Sequence, residues 1–306
     1  MFLTLSKHPK HLREGSVLKY LIALRPFSFV ASAFPVTAGA MLAEDFSLTR
    51  YILSLIAAVL LHAGVNTTND YFDYKSGVDT KESLGSSGLL VSGKITLKEE
   101  LFLSVLCYIA SVVLGIFLIK MSGLALLWIG LVGLVLGYAY TGHPFYLKYR
   151  ALGMFLVFIL MGPLMVLGAY YVQTGRFSVE ALFVSVPIGI ATDLILLANE
   201  IRDSEYDRKS GIKTLPILIG DLASSYLYAV LVGLIYVFVF YLVVTGVLKS
   251  IALVSLVALF LYAGVMRQLF QKSTGKKSAR EIAAVDKMSA LAEMILFVSM
   301  ILGLMG

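Results

Sequence analysis

The sequence predicts an all-α, polytopic membrane protein with nine transmembrane helices. Hydrophobic residues make up 59% of the 306-residue chain and charged residues only 14%, with a mean hydropathy of +0.88. That is far more apolar than an ordinary soluble domain. Apolar segments long enough to cross a hydrocarbon core recur along nearly its whole length. They are too long for barrel strands, and backbone in lipid must pair its polar groups internally, which leaves helices.

The nine segments lie near 18–43, 50–70, 100–120, 123–141, 151–173, 178–200, 222–247, 250–271 and 283–305. No sizeable soluble domain is left over, so residues 1–306 are expected to form a single membrane domain. The N-terminal MFLTLSKHPKHLREG is basic but lacks the apolar core and cleavage site of a signal peptide, and the chain is expected to be unprocessed. Cys107, the single cysteine, falls in the third segment and forms no internal disulfide.

Charge fixes the expected orientation. The pI near 9.2 is explained by topology and needs no nucleic-acid partner. With the N-terminus cytoplasmic, that side receives 21 of the 25 Lys and Arg residues, beginning with Lys7, Lys10, Arg13, Lys19 and Arg25. The other side keeps Arg50, Lys120, Arg176 and Lys249. This is a strong positive-inside pattern for a multi-pass protein of the cell membrane.

The chain also repeats itself. NTTNDYFDYKSGVDT, from Asn66, closes the second apolar segment, and NEIRDSEYDRKSGIKT, from Asn199, closes the sixth. Both carry Asn-x-x-x-Asp, at Asn66 and Asp70 and at Asn199 and Asp203. Both then reach Asp-x-Lys-Ser-Gly, at Asp73 to Gly77 and at Asp207 to Gly211. Four helices separate the copies, so both face the same, cytoplasmic side. The expectation is a parallel repeat of helices 1–4, about 18–141, and helices 5–8, about 151–271, with the ninth helix at 283–305. This differs from the inverted repeats common in transporters.

Asn66, Asp70 and Asp73 stand at i, i+4 and i+7 of a helix, and Asn199, Asp203 and Asp207 at i, i+4 and i+8, each nearly one face. Carboxylates beside a low-dielectric core repel one another unless something positive joins them. Mg²⁺ prefers oxygen ligands and is typically held by one or two carboxylates while it holds a substrate's phosphates. Two facing clusters suit a diphosphate bridged by two or more Mg²⁺ ions. Candidate cations for its remaining oxygens are Lys75, Arg202, Arg208, Lys209, Lys148 and Arg150. Either cluster alone could be an ordinary solvated boundary, but a boundary has no need of the same spacing twice on one face.

These residues resemble the UbiA superfamily of intramembrane prenyltransferases over essentially the whole chain. The family's first motif, roughly Asn-Asp-x-x-Asp with a further Asp, is similar to Asn69, Asp70, Asp73 and a displaced Asp79. The longer spacing, NDYFDYKSGVD, is similar to the branch that prenylates 1,4-dihydroxy-2-naphthoate in menaquinone biosynthesis and to its animal vitamin K relatives. LRPFSFVASAFPVTAG, YTGHPFYLKYRALG and GPLMVLGAYYVQTG match as well. The second motif departs from the family's Asn-Asn-x-Arg-Asp by carrying Glu200.

The resemblance implies Mg²⁺-dependent transfer of a polyprenyl group from its diphosphate to an aromatic acceptor. Metal ligands would be Asn66, Asn69, Asp70, Asp73, Asn199, Asp203 and Asp207. Diphosphate contacts would come from Lys75, Lys148, Arg150, Arg202, Lys209 and Arg25. Departure leaves an allylic cation, which needs a dry chamber with electron-rich walls. Tyr140 and Lys148 lie in the segment the family places beside the diphosphate; Tyr140 is either a cation or leaving-oxygen contact or an interfacial tyrosine. Related acceptors are geranylgeranylglyceryl phosphate and 4-hydroxybenzoate, and from another class the acids could serve an ion-coupled transporter.

Asp193, inside the sixth segment, is either an acceptor-orienting base or a carboxylate paired within the bundle. His62 reads as a bundle histidine and Glu293 as a packing contact. The segments Gly77 to Lys98 and Ser204 to Asp221 are either caps over the site or connectors. The basic loop Gln271 to Lys287 could receive a pathway partner.

Overall fold

The computed structural model describes residues 17–80 and 86–305. Lys7, Lys10 and Arg13 in the basic N-terminus and part of the loop after the first motif lie outside the described residues. Twelve helices form: α1 Val17–Ala23, α2 Val30–Met41, α3 Leu48–Lys75, α4 Leu97–Ser122, α5 Ala125–Ala139, α6 Gly153–Ile159, α7 Met165–Thr174, α8 Val179–Lys209, α9 Leu215–Ile219, α10 Asp221–Val244, α11 Ala258–Ser273 and α12 Val285–Met305. Among the described residues there is no strand, only an isolated bridge between Arg150 and Lys213.

Among the described residues, seven helical stretches are long and apolar enough to cross a membrane, as expected of a multi-pass membrane protein. One of them joins α6 to α7 through a π-turn at Leu160–Leu164 that contains Pro163. Proline removes a helical hydrogen bond, and the wider turn absorbs it without breaking the span. The first predicted segment is instead two pieces, α1 and a helical run from Pro26 to Met41, bent by 45°. α5 has only 15 residues.

Helix ends follow local chemistry. Ser47 and Ser178 cap α3 and α8, and Thr96 with Glu99 forms a capping box on α4. α8 is the central helix: 72% of its apolar window is buried, against 44% or less in the other spans. Val184, Ala191, Leu194, Leu197 and Ile201 pack its faces against α10, α12 and the α6–α7 span. Outward, Phe102, Ile109, Trp128, Val237 and Phe260 are exposed. Helices apolar on all sides are what a bilayer accommodates.

Glycine permits a close helix approach. A Cβ on Gly162 would lie 2.8 Å from Gly189 Cα, so the π-turn and α8 touch backbone to backbone. This contact carries the central helix past the fifth predicted segment and positions its polar end.

Candidate active site

The two motifs end α3 and α8 at the same end of the bundle. The Tyr206 hydroxyl, near the end of α8, donates to Val78 O at 2.8 Å and lies 3.0 Å from Thr80 Oγ1, both just past α3.

Around the first motif the polar side chains are closely paired. Asn66 Nδ2 donates to Ser28 Oγ at 2.9 Å and to Leu24 O at 3.3 Å, tying α3 to the bend. Arg25, at that bend, has φ 58° and sends Nη1 to Asp70 Oδ1 at 3.3 Å. Asp70 is buried and also accepts Ser87 N–H at 3.1 Å. Asp73 accepts from Asn69 Nδ2 and Lys148 Nζ, each at 3.1 Å, and from the Tyr149 hydroxyl. Lys148 also donates to Asn69 Oδ1 at 3.2 Å.

The segment that delivers Lys148 is held unusually. Tyr146 and Ala151 flank it with φ of 47° and 59°, left-handed conformations that cost a side-chain-bearing residue free energy and persist only where surroundings enforce them. The enforcement is visible: Ala151 N donates to Lys213 O at 2.8 Å and Lys213 N to Tyr149 O at 3.2 Å, clamping the segment to the chain beyond α8. Lys148 Nζ lies 5.5 Å from the Tyr149 ring centroid and 6.0 Å from that of Tyr140.

Electrostatics follow from this crowding. Burial works against the Lys148 ammonium, yet Asp73, Tyr140 and Asp79 hold it above the usual lysine range. Asp79 is pushed up to about 6, by burial first and then by Asp73 and Asp70. Tyr140 is pushed up to about 12, mainly by burial and further by Glu200, Asp73 and Asp193, with Lys148 opposing.

In the second motif, Asp207 lies within electrostatic reach of Asp73 and Lys148. Asn199 Oδ1 is buried without a partner among the described residues. Asp203 takes two bonds from Arg202, at 2.8 and 2.6 Å, and Arg202 reaches Asp286 of α12 at 3.0 Å. Arg202 is therefore buried between two carboxylates. Lys75, Arg150, Arg208 and Lys209 are exposed at this end, with Lys75 Nζ 5.5 Å from the Tyr71 ring centroid. Asp193 is buried with Oδ1 unpartnered among the described residues. His62 bonds Ser32, and Glu293 accepts from Thr192 at 2.7 Å, in keeping with bundle roles.

Sequence reasoning missed Tyr149, Ser87 and Glu100. Nothing in the local sequence marks Tyr149 or Ser87, whose contacts join segments far apart in the chain. Glu100 is fully buried with both oxygens unpartnered among the described residues, within electrostatic reach of Asp70 and Arg25. The second of two adjacent acids opening an apolar segment gave no hint of that.

The donor set of both motifs is oxygen throughout, which suits a hard divalent cation. Among the described residues no three His, Cys, Asp or Glu side chains gather closely enough to chelate one ion. Each ion would draw on one or two carboxylates, amide oxygens and its ligand's phosphates. The orphan Asn199 oxygen and the like-charge crowding of Asp79 both fit a cation in this cleft.

Below the polar cluster, an apolar cavity of about 280 Å³ begins at Val65 and Gly137 and runs past His62 and Leu134 to Leu126 and Val172. A larger recess of about 1220 Å³ opens at the opposite end, lined by Glu44, Asp45, Arg50, Gln173 and Arg176. It contains none of the predicted site residues.

A helical membrane bundle with paired Asp/Asn motifs, basic side chains among them and an adjoining apolar cavity defines a class of intramembrane protein whose polar site borders a hydrocarbon-lined space. The chain matches the UbiA prenyltransferase family over residues 32–291, and it belongs to that family of prenyltransferases. It is 36% identical to the 1,4-dihydroxy-2-naphthoate octaprenyltransferase of Bacillus subtilis across 78% of this chain and 77% of that protein. It is also 36% identical to UbiA prenyltransferase domain-containing protein 1 of Xenopus tropicalis, across 76% and 69%. Among solved structures, a UbiA homolog from Aeropyrum pernix K1 has a TM-score of 0.65 at 18% identity, covering 90% of this chain and 97% of that one. A UbiA homolog from Archaeoglobus fulgidus bound to GPP and Mg²⁺ has 0.61 at 15% identity, covering 92% and 99%. These likenesses concern the fold.

Proposed function

We propose that this chain transfers a polyprenyl group from polyprenyl diphosphate to an aromatic acceptor, 1,4-dihydroxy-2-naphthoate, in menaquinone biosynthesis. The observation that carries this is Lys148 held between the Asp73 carboxylate and the Tyr140 ring beside an apolar cavity. That arrangement joins an anion site to a hydrocarbon site. The acceptor is supported by the Bacillus subtilis relative, whose name gives it.

Asn66, Asn69, Asp70 and Asp73 on one side and Asn199, Asp203 and Asp207 on the other would hold two or more Mg²⁺ ions. Such ions supply positive charge that stabilises a diphosphate leaving group. Lys148 contacts that diphosphate directly, with Arg25, Lys75, Arg150 and Lys209 around it; Arg202 acts by holding Asp203. Tyr140 turns its ring to the allylic cation, and Asp193 orients or deprotonates the acceptor. The apolar cavity takes the prenyl tail and keeps water from the cation.

We read the chain as one domain of nine passes, counting the bent first pair and the short α5, with a parallel repeat and with N-terminus and site on the cytoplasmic side of the cell membrane. The charge asymmetry and the meeting of both motifs at one end support this.

Product analysis by mass spectrometry tests the assignment. The purified protein is offered geranylgeranyl diphosphate and Mg²⁺ with 1,4-dihydroxy-2-naphthoate, 4-hydroxybenzoate and geranylgeranylglyceryl phosphate in parallel. A prenylated naphthoquinol formed with loss of CO₂, and abolished by EDTA, is the expected result. Product from the glycerol phosphate alone would move the enzyme to ether-lipid synthesis.

A further inference from the structure

The departure of the second motif from its family pattern falls at a built position. Glu200 is 6% exposed. Its Oε2 accepts the Leu215 N–H at 3.3 Å, which fixes the carboxylate against the start of α9. Its Oε1 points to the space left by Gly153, 3.4 Å from where a Cβ would lie, with Tyr140 Cε2 3.8 Å and Leu196 Cδ2 3.6 Å from the same point. This methyl-sized gap therefore has an acid on one side, an aromatic edge on another and an aliphatic flank.

Asp193 stands seven residues earlier, on the same face of α8. It too is 6% exposed, and its Oδ1 has no partner among the described residues. A buried acceptor oxygen without a donor costs free energy unless a ligand supplies one. Both carboxylates lie within electrostatic reach of Tyr140, so both look onto the wall beside which the prenyl group would ionise.

Their spacing selects a shape. Two helical turns put their Cα atoms about 10.5 Å apart along the axis, and carboxyl groups held at about that spacing would, with a hydrogen bond of about 2.7 Å at each end, leave about 5 Å between. That is the span of one aromatic ring bearing oxygens on opposite carbons.

We propose that Asp193 and Glu200 bracket a para-dihydroxyarene, each accepting a hydrogen bond from one of its hydroxyl groups, and that Glu200 makes the enzyme select a 1,4-dihydroxy acceptor over a monohydroxy one. This rests on the prenyl-transfer reading above. With Glu200 Oε2 taking the Leu215 N–H, Oε1 is left to accept a hydroxyl donor. A site built around such a bond discriminates strongly against an analogue lacking it. Glu200 is a specificity residue in this account, and the carbon–carbon bond forms without its participation.

The test is steady-state kinetics on Glu200→Gln, whose amide oxygen still takes the Leu215 N–H while its NH₂ faces the gap. The KM for 1,4-dihydroxy-2-naphthoate is expected to rise about tenfold or more while the KM for geranylgeranyl diphosphate stays put. The preference for that acceptor over 1-hydroxy-2-naphthoate should shrink by a similar factor. If Glu200→Gln does not fold, Gly153→Ala places a methyl group against Glu200 Oε1 and should raise the acceptor KM in the same way. An unchanged acceptor KM, or an equal loss for both substrates, overturns the proposal while leaving prenyl transfer intact. Wild-type protein that prenylates no arene at all overturns the underlying reading, and with it this one.

Discussion

Arg25 meets Asp70 across the bend between α1 and α2, Nη1 to Oδ1 at 3.3 Å, from a left-handed backbone conformation. Asp70 is almost wholly buried, so this ion pair and the Ser87 N–H keep its charge in place. Removing one partner of a buried pair leaves the other uncompensated. Arg25→Ala is expected to destabilise the protein by about 3 kcal/mol, read as thermal unfolding in detergent. Adding Asp70→Asn to it should recover part of that loss, and strict additivity would show that the two side chains are not coupled.

Asp70→Ala and Asp203→Ala should each lower prenyl transfer by at least about 100-fold with little change in helical content by circular dichroism. Asp193→Asn should lower kcat while the KM for prenyl diphosphate holds. Equal damage to both parameters would reduce Asp193 to a support of the bundle.

Lys148 pairs with buried Asp73 and with Asn69, so its loss acts on folding as well as on binding. Lys148→Met is expected to raise the KM for prenyl diphosphate about 10- to 100-fold, the loss of one charge-assisted hydrogen bond. Lys148→Arg should recover a fraction of it. Diphosphate binding unchanged in the methionine variant would rule out the contact.

Asp79 supplies a pH dependence. Its carboxyl is pushed up to about 6 in the folded chain from an ordinary value of 3.8. A raised carboxylate favours the protonated form on folding, so its ionisation destabilises the protein as pH rises through 6, and the cost is absent below the unfolded value. In EDTA, Asp79→Asn should therefore be more stable than wild type at pH 7.5, by on the order of 1 to 2 kcal/mol after solvent screening. The difference should vanish near pH 4, and unfolding curves at the two pH values decide it.

Much of this architecture was legible in the chain. Hydropathy marked where helices run, because a bilayer-facing helix is apolar on every side. The duplicated Asp/Asn spacing marked the site, because helical periodicity puts those residues on one face. The bend at Arg25 was not legible, since it depends on a left-handed residue before Pro26. Nor was the burial of Arg202: its tie to Asp286 joins α8 to α12, and no local pattern records a pairing across the bundle. Tyr149 and Ser87 were missed for the same reason.

The shortness of α5 has a consequence for the surrounding lipid. Its ends lie at opposite ends of the bundle: Ser122, just before it, bonds Val172 O beside the recess lined by Arg50 and Gln173, and Tyr140, just after it, adjoins Lys148. Fifteen residues rise about 22 Å, short of a hydrocarbon core of roughly 30 Å. Trp128, Val132 and Val135 face outward along it, so on the nine-pass reading the leaflets draw together on that flank. Reconstitution in bilayers of increasing acyl length would then impose a rising hydrophobic-mismatch penalty on this side of the enzyme, and thinner membranes would be its preferred solvent.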